Sequence, residues 1–163
     1  MKKLSWYINK GLEFQARICK DLQLVFSNKG FYTYEFLQKR FRAAPDMLLD
    51  NVNENIFLAI ELKWKNNLEI KYNKENNTYI LIKDIIDQVQ IGFYNNFKDN
   101  TRRSVFLICY NHTDSNLYLF TNTHLSLSKI FLSDITILKY STENLDLLVN
   151  SIINYVKNEI KNE

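Results

Sequence analysis

Two carboxylates and a lysine lie at the ends of two short apolar segments of the sequence. Asp46 precedes the apolar residues 47–49, and Glu61-Leu62-Lys63 ends a longer apolar run that begins at residue 56. The polar residues 50–55 between the runs indicate a β-hairpin with a loop of several residues. Because side chains alternate along a strand, Glu61 and Lys63 lie on one face and Leu62 on the other. A carboxylate and an ammonium group therefore share one surface of the predicted hairpin.

The position of Asp46 depends on where the hairpin loop is centred. If the loop centres between Val52 and Asn53, antiparallel pairing places Asp46 opposite Ala59. Ala59 is two residues from Glu61, so Asp46 and Glu61 are predicted to lie on the same face. Three charged groups then converge at one end of an apolar hairpin.

Charged groups held together in this way need a partner. Burying them is costly unless they are paired or bound to a metal ion. Two carboxylates and water suit Mg²⁺, a hard cation that prefers oxygen ligands, and Mn²⁺ can substitute for it. Such a cation can polarise a phosphodiester and lower the pKa of a bound water, while Lys63 holds that water or offsets charge in the transition state. Asp46, Glu61 and Lys63 are therefore candidate catalytic residues, with Asp46 and Glu61 as metal ligands.

The E-x-K pattern alone carries little information. It occurs three times, at Glu61/Lys63, Glu69/Lys71 and Glu159/Lys161. Most such pairs are solvated charges on a protein surface. The first differs because it ends an apolar run, whereas the other two lie in polar or terminal helical surroundings.

The pattern of apolar residues predicts helices and strands around this hairpin. Helices are predicted where apolar residues recur every three or four positions, and strands where β-branched and aromatic residues form short runs. In chain order we expect a helix over residues 5–27, a strand over 31–36, the hairpin strands, a helix over 82–97, strands over 104–110, 116–122 and 130–138, and a helix over 143–160. This order favours an α/β fold, with a central mixed sheet flanked by the first and second helices and with the C-terminal strands and helix added to that core.

Length and composition restrict the class of protein. A chain of 163 residues fits one domain, residues 1–163, and its 46% hydrophobic content indicates that the whole chain folds. The net charge of +3 permits a nucleic-acid partner without requiring one. Cys19 and Cys109 have neither zinc nor disulfide spacing, so both are predicted to be reduced thiols. No apolar run approaches the roughly 20 residues that span a bilayer, so we expect a soluble cytoplasmic protein without a membrane partner.

The combination of Pro45-Asp46 with Glu61-x-Lys63 at the end of an apolar strand resembles the signature of the PD-(D/E)XK nuclease superfamily. That superfamily includes archaeal Holliday junction resolvases, RecB-type nucleases and many restriction endonucleases. The predicted order of elements over residues 10–111 is similar to its αβββαβ core. The resemblance implies a restriction-endonuclease-like fold and Mg²⁺-dependent hydrolysis of DNA, with endonuclease activity favoured over exonuclease activity.

The predicted first helix contains a further motif of this kind. Residues 10–14, Lys-Gly-Leu-Glu-Phe, resemble a first-helix motif in which a glutamate adds a metal or water ligand, and the resemblance implies that role for Glu13. In junction resolvases the glutamate usually lies a turn after the glycine, where this chain has Gln15. Those resolvases also tend to carry a hydroxyl residue ahead of the Pro-Asp pair, and residues 38–44 contain none. Junction specificity is therefore not expected.

The predicted second helix contains a glutamine and a tyrosine at helical spacing. Gln90 and Tyr94 resemble the Q-x-x-x-Y element of RecB-type nucleases. A spacing of four places both on one helical face, where they could orient the lysine or contact a phosphate. Gln90 is thus a candidate catalytic residue and Tyr94 a candidate DNA contact, with Gln88 as a competing choice for the glutamine.

Two basic clusters lie close to the predicted site in the sequence. Lys39, Arg40 and Arg42 precede the Pro-Asp pair with a phenylalanine among them, and Arg102 and Arg103 precede the strand predicted over 104–110. Cations interleaved with an aromatic ring suit phosphate contact and base stacking. Simple solubility explains each cluster equally well, so these five residues are candidate nucleic-acid contacts only.

The function that these residues favour is Mg²⁺-dependent hydrolysis of phosphodiester bonds in DNA. Two other classes stay open. A nucleic-acid-binding module could keep the fold without turnover, although an inactive copy would tend to lose one of the three charged residues. An interaction protein could instead dock onto another nuclease, and a homodimer is also open.

Overall fold

A mixed sheet with helices packed on it forms the protein. The computed structural model describes residues 2–34, 46–75, 78–81, 103–125 and 130–161. Within these ranges the elements are α1 (Lys2–Ser27), β1 (Tyr32–Tyr34), β2 (Met47–Asn51), β3 (Ile56–Lys65), β4 (Ile70–Asn73), β5 (Thr78–Leu81), β6 (Arg103–Asn111), β7 (Asn116–Leu125), β8 (Ile130–Lys139) and α2 (Thr142–Lys161). Neither described helix is long and apolar enough to cross a membrane.

The strands of the described residues form one sheet in the order β1-β2-β3-β6-β7-β8-β5-β4. The pairing of β3 with β6 is parallel, and the other neighbouring pairs are antiparallel. A parallel pair needs a crossover connection, and the residues between β3 and β6 include β4, β5 and a segment outside the described residues. The predicted α/β class with a mixed sheet is confirmed.

Most of the predicted elements are found close to their expected bounds. The first helix, the hairpin of β2 and β3, the strands β6 to β8 and the C-terminal helix all occupy the predicted segments. We predicted no helix or strand between the hairpin and residue 82, so the prediction missed β4 and β5, which lie there. Each of these strands is only four residues long, which is too short for alternation of apolar and polar residues to stand out. The predicted helix over 82–97 lies outside the described residues.

The core lies between the two helices and one face of the sheet. In α1 the buried positions follow one another every four residues, so a single stripe of the helix faces the sheet. Its members are Phe14, Ile18, Leu22 and Phe26. The stripe of α2 consists of Leu145, Leu148, Val149, Ile152 and Val156, and both stripes pack against alternate residues of β2, β3, β6 and β7. The central strands β3 and β6 are buried on both faces.

A glycine ends α1 and turns the chain into β1. Gly30 has a φ of 89°, which L side chains rarely adopt. Its N–H donates to Ser27 O, and the N–H of Phe31 donates to Phe26 O, the pair of bonds that defines a Schellman C-cap. A Cβ at Gly30 would also lie 3.4 Å from the buried Asn51 amide. This turn therefore fixes the position of α1 against the hairpin.

Gly30 in this turn and Gly11 inside α1 give a matched pair of stability predictions. Gly30→Ala should lower the free energy of unfolding by about 1 kcal/mol or more, because alanine is strained at positive φ. Gly11→Ala should raise it by about 0.5–1 kcal/mol, because Gly11 is inside α1 and a Cβ there meets nothing within 4 Å. Urea unfolding measures both values. A Gly30→Ala variant as stable as the wild type would contradict the assigned cap.

Candidate active site

The candidate site lies where β3 continues past the start of β2. Strand β2 pairs with Ile56–Ile60 only, whereas β6 pairs with β3 as far as Lys65. Residues Glu61–Lys65 therefore have a strand partner on one side, and we call this segment the β3 overhang. Its other edge has main-chain N–H and C=O groups that side chains must satisfy.

The hairpin register differs from the prediction by two residues. Ala59 pairs with Leu48, and Met47 pairs with Ile60, so Asp46 lies across from Glu61 and not from Ala59. The centre of the loop lies between Asn53 and Glu54, one residue later than predicted. Asn55 adopts a φ of 55° where the loop enters β3, a conformation that asparagine tolerates. Since the difference is an even number, the predicted sharing of one face by Asp46 and Glu61 is kept.

Two side chains satisfy the edge of the β3 overhang at Leu62. The Leu62 N–H donates to Asp46 Oδ2 at 2.7 Å. The Gln15 amide nitrogen donates to the Leu62 carbonyl oxygen at 3.1 Å. Gln15 lies on α1, so one residue of β3 connects the first helix to the start of β2. We call this arrangement the Leu62 clamp.

Glu61 and Lys63 lie on the face opposite the α1 stripe. The Glu61 side chain is only 2% exposed, and its Oε1 lies 3.3 Å from Lys63 Nζ. The neighbours of these residues across the parallel pairing are Leu107 and Cys109, both buried. Glu61 is thus a carboxylate in largely apolar surroundings, with the half-buried Lys63 as its ion-pair partner.

Asp46 is the most strongly perturbed titratable group of this cluster. Burial, and then the negative charge of Glu61, raise the pKa of Asp46 to about 7, although the Leu62 N–H and Lys63 oppose the shift. Burial and the charge of Asp46 also raise the pKa of Cys19 on α1, so this thiol stays protonated at neutral pH. Two carboxylates against one ammonium leave one negative charge in excess, which a proton or a cation must offset.

The donor set of this cluster fits Mg²⁺ better than zinc. Among the described residues no group of three or more histidine, cysteine or acidic side chains could hold a metal ion. The site therefore offers the carboxylates of Asp46 and Glu61, and Mg²⁺ commonly binds through one or two carboxylates while it keeps several waters. The proximity of two carboxylates that destabilise one another is the structural reason to expect a cation here.

The other sequence candidates lie farther away or outside the described residues. Glu13 is 69% exposed and its carboxylate pairs with Lys10 at 3.6 Å, so the structure does not bring it to Asp46 and Glu61, and its role as a ligand stays a prediction. Arg103 begins β6 at the opposite end of β3, with its guanidinium over the Phe57 ring. Lys39, Arg40, Arg42, Gln88, Gln90, Tyr94 and Arg102 lie outside the described residues.

Gln15 is a residue of this site that was not among the candidates predicted from the sequence. It was noted only as the residue at the position where junction resolvases have their glutamate. A signal for it exists, because Gln15 follows the buried Phe14 and precedes the buried Ile18 by three positions, which places it at the border of the core stripe. Glu13 lies at a solvent-facing position.

Comparison with known proteins adds no family assignment. No protein-family model matches the chain, and no curated protein matches it. The resemblance to PD-(D/E)XK nucleases therefore rests on the sequence motif alone.

The raised pKa of Asp46 predicts how stability depends on pH. The pKa of Asp46 in the folded protein lies above its ordinary value of 3.8. The protonated Asp46 side chain therefore contributes stability that is complete below pH 3.8 and is lost as the pH rises through about 7. Asp46→Asn keeps an oxygen that can accept the Leu62 N–H and removes the charge. In chelating buffer at about pH 8 the variant should be more stable than the wild type, by on the order of 1–3 kcal/mol.

Unfolding by urea at about pH 5 and about pH 8 measures this effect. The wild type should lose more stability between the two values than Asp46→Asn does. Asp50→Asn, which removes a carboxylate from the adjoining strand β2, is the matched control. An Asp46→Asn variant that is less stable than the wild type at the higher pH would contradict the assigned charge repulsion.

Proposed function

We propose that this protein is a Mg²⁺-dependent nuclease with a restriction-endonuclease-like core, which hydrolyses phosphodiester bonds in DNA. The observation that carries the proposal is the position of Asp46 across from the buried Glu61, with Lys63 3.3 Å from that carboxylate. A sheet gains no stability from two adjacent carboxylates, so their presence side by side favours a functional role.

The order of elements supports the same assignment. A helix, an antiparallel strand pair leading into β3, and a strand β6 that returns parallel to β3 follow one another along the chain. These elements correspond to the first helix, the three strands and the last strand of the αβββαβ core that the sequence motif implies, while β4, β5 and a segment outside the described residues lie between β3 and β6. The charged residues lie at the start of β2 and near the end of β3, as the motif requires.

Asp46 and Glu61 would hold the cation through their carboxylate oxygens. When bound there, Mg²⁺ supplies Lewis-acid polarisation of a phosphodiester and a water of lowered pKa. Binding of the cation also removes the repulsion between the two carboxylates, so both can stay ionised at neutral pH. The Leu62 clamp holds Asp46 Oδ2 through a main-chain bond, which fixes the carboxylate before a substrate arrives.

Lys63 is suited to act on the negative charge of the phosphate. Its ammonium group is held beside Glu61, yet the side chain is partly exposed, so a phosphate at the surface can reach it. A preorganised cation stabilises the charge that develops on phosphate oxygens in the transition state.

The free cysteines, Cys19 and Cys109, fit a reducing compartment such as the cytoplasm.

The first test of the function is a cleavage assay with Mg²⁺. Asp46→Asn, Glu61→Gln and Lys63→Ala should each lower the rate of DNA cleavage by about 100-fold or more, because each removes a charge from the reacting centre. Lys71→Ala is a matched control, since Lys71 belongs to a second E-x-K sequence and is exposed. Gel analysis of duplex, single-stranded and branched DNA measures the rates.

Metal dependence is checked in the same preparations. Activity should appear with Mg²⁺ or Mn²⁺ and disappear in chelator. Mg²⁺ should raise the melting temperature of the wild type, because a ligand that binds only the folded state stabilises it, and Glu61→Gln should lose this shift. Full cleavage in chelator, or wild-type rates for Asp46→Asn, would overturn the proposal.

The second test asks which residue of α1 serves the site. Gln15→Ala should slow cleavage by about tenfold or more, since residues that orient metal ligands commonly contribute this much. Glu13→Ala should change the rate little, because Glu13 faces solvent. Gln23→Ala on the same helix is the control. A larger loss with Glu13→Ala than with Gln15→Ala would return the ligand role to Glu13.

A further inference from the structure

Four aromatic side chains gather at the end of the sheet that carries the candidate site. Trp6 and Tyr7 come from α1, Trp64 from the β3 overhang and His112 from the turn after β6. The ring centroids of Trp6 lie 5.1 Å from Tyr7, 5.7 Å from Trp64 and 6.1 Å from His112. We call these four residues the aromatic platform.

The α1 part of the platform is exposed, whereas Trp64 is half-buried against the core. Trp6 is 43% exposed and Tyr7 is 38% exposed, although indole and phenol rings are normally well buried. The contacts of Trp6 with Tyr7, Trp64 and His112 are all edge-to-face. Edge-to-face pairs are a favourable arrangement for aromatic rings, so these contacts hold Trp6 against the other three rings while Trp6 and Tyr7 stay partly open to solvent.

The platform is continuous with the candidate site. Trp64 directly follows Lys63, and alternation along β3 places its ring on the α1 face while the lysine lies on the other face. The main chain holds this end together, because the N–H groups of His112 and Thr113 donate to the carbonyl oxygens of Lys65 and Asn66. On α1, Trp6 precedes Gln15 of the Leu62 clamp by about 13 Å along the helix axis.

Positive charge accompanies the aromatic rings. Lys10 Nζ lies 5.7 Å from the centre of the Trp6 ring. Lys63 and Lys65 flank Trp64 in sequence and lie on the other face of the same end of the sheet, where they pair with Cys109 and Asn111 of β6. Rings with adjacent ammonium groups provide a base-stacking surface together with partners for phosphates.

We propose that the aromatic platform binds unpaired bases of a DNA strand by stacking, next to the site where that strand is cut. The choice of DNA and the position of the cut rest on the proposed function, whereas the stacking surface rests on the platform itself. Duplex bases already stack on one another, so a ring at this surface could engage them only after they are unstacked, at a cost of a few kcal/mol per step. The platform therefore favours single-stranded ends or flaps over blunt duplex.

The test measures binding in chelator, where cleavage does not interfere. Fluorescence anisotropy compares a labelled oligo-dT with a labelled blunt duplex for the wild type, Trp6→Ala, Trp6→Phe and Leu24→Ala. Leu24 is the matched control, because it is a large exposed apolar residue at the other end of α1. Trp6→Ala should weaken oligo-dT binding by about 5- to 100-fold. Trp6→Phe should keep most of the affinity, and Leu24→Ala should equal the wild type.

Thermal unfolding of each variant shows whether Trp6→Ala remains folded, and Tyr7→Ala provides a second, smaller change in the same platform. Unchanged oligo-dT affinity in both variants would overturn the proposal, as would an equal loss of affinity for oligo-dT and duplex. If the wild type is a dimer in size-exclusion chromatography and Trp6→Ala is a monomer with unchanged oligo-dT affinity, the platform is a contact between copies of the chain. That result would also overturn the proposal. Trp6-dependent binding by a chain that cleaves nothing would retain this inference and reject the proposed function.

Discussion

The main-chain groups of Leu62 impose the constraint on which the site depends. Strand β2 stops before it reaches this residue, so the edge of β3 needs hydrogen-bond partners from elsewhere. Asp46 and Gln15 provide them, one on the N–H and one on the carbonyl oxygen. The clamp therefore has two effects. It satisfies both main-chain groups of Leu62, and it places a carboxylate beside Glu61 in a fixed orientation.

That placement has an electrostatic cost, which is the physical link from fold to chemistry. The carboxylate that satisfies Leu62 is also driven toward protonation by burial and by Glu61. Lys63 offsets part of the repulsion, and it pairs with the more deeply buried carboxylate. The cluster has one negative charge in excess, which a proton on Asp46 balances. Under the function proposed above, a divalent cation would take the place of that proton, so cation binding and proton release would be linked.

The sequence allowed the shared face of Asp46 and Glu61 to be predicted but not their exact pairing. The face depends only on the two-residue period of a strand, so an even change of register preserves it. The register depends on how the loop closes, and here Asn55 at positive φ closes it. The rotation of α1 favours Gln15 over Glu13, because Gln15 borders the buried stripe that begins at Phe14 whereas Glu13 faces solvent, and the four-residue spacing of that stripe is visible in the sequence. Strand β4 is only four residues long, so its alternation of apolar and polar residues did not stand out.

The β3 overhang explains why charged and aromatic groups meet at one end of the molecule. At the other end of β3 the strands β1 and β2 continue the sheet, and Arg103 there covers Phe57. Beyond residue 60, β3 and β6 extend as a parallel pair with α1 beside them. Alternation along this overhang sends Glu61 and Lys63 to one face and Trp64 to the other. Under the proposals made above, a strand of nucleic acid that crosses the end of the overhang would contact the aromatic platform on one side and reach the carboxylates on the other.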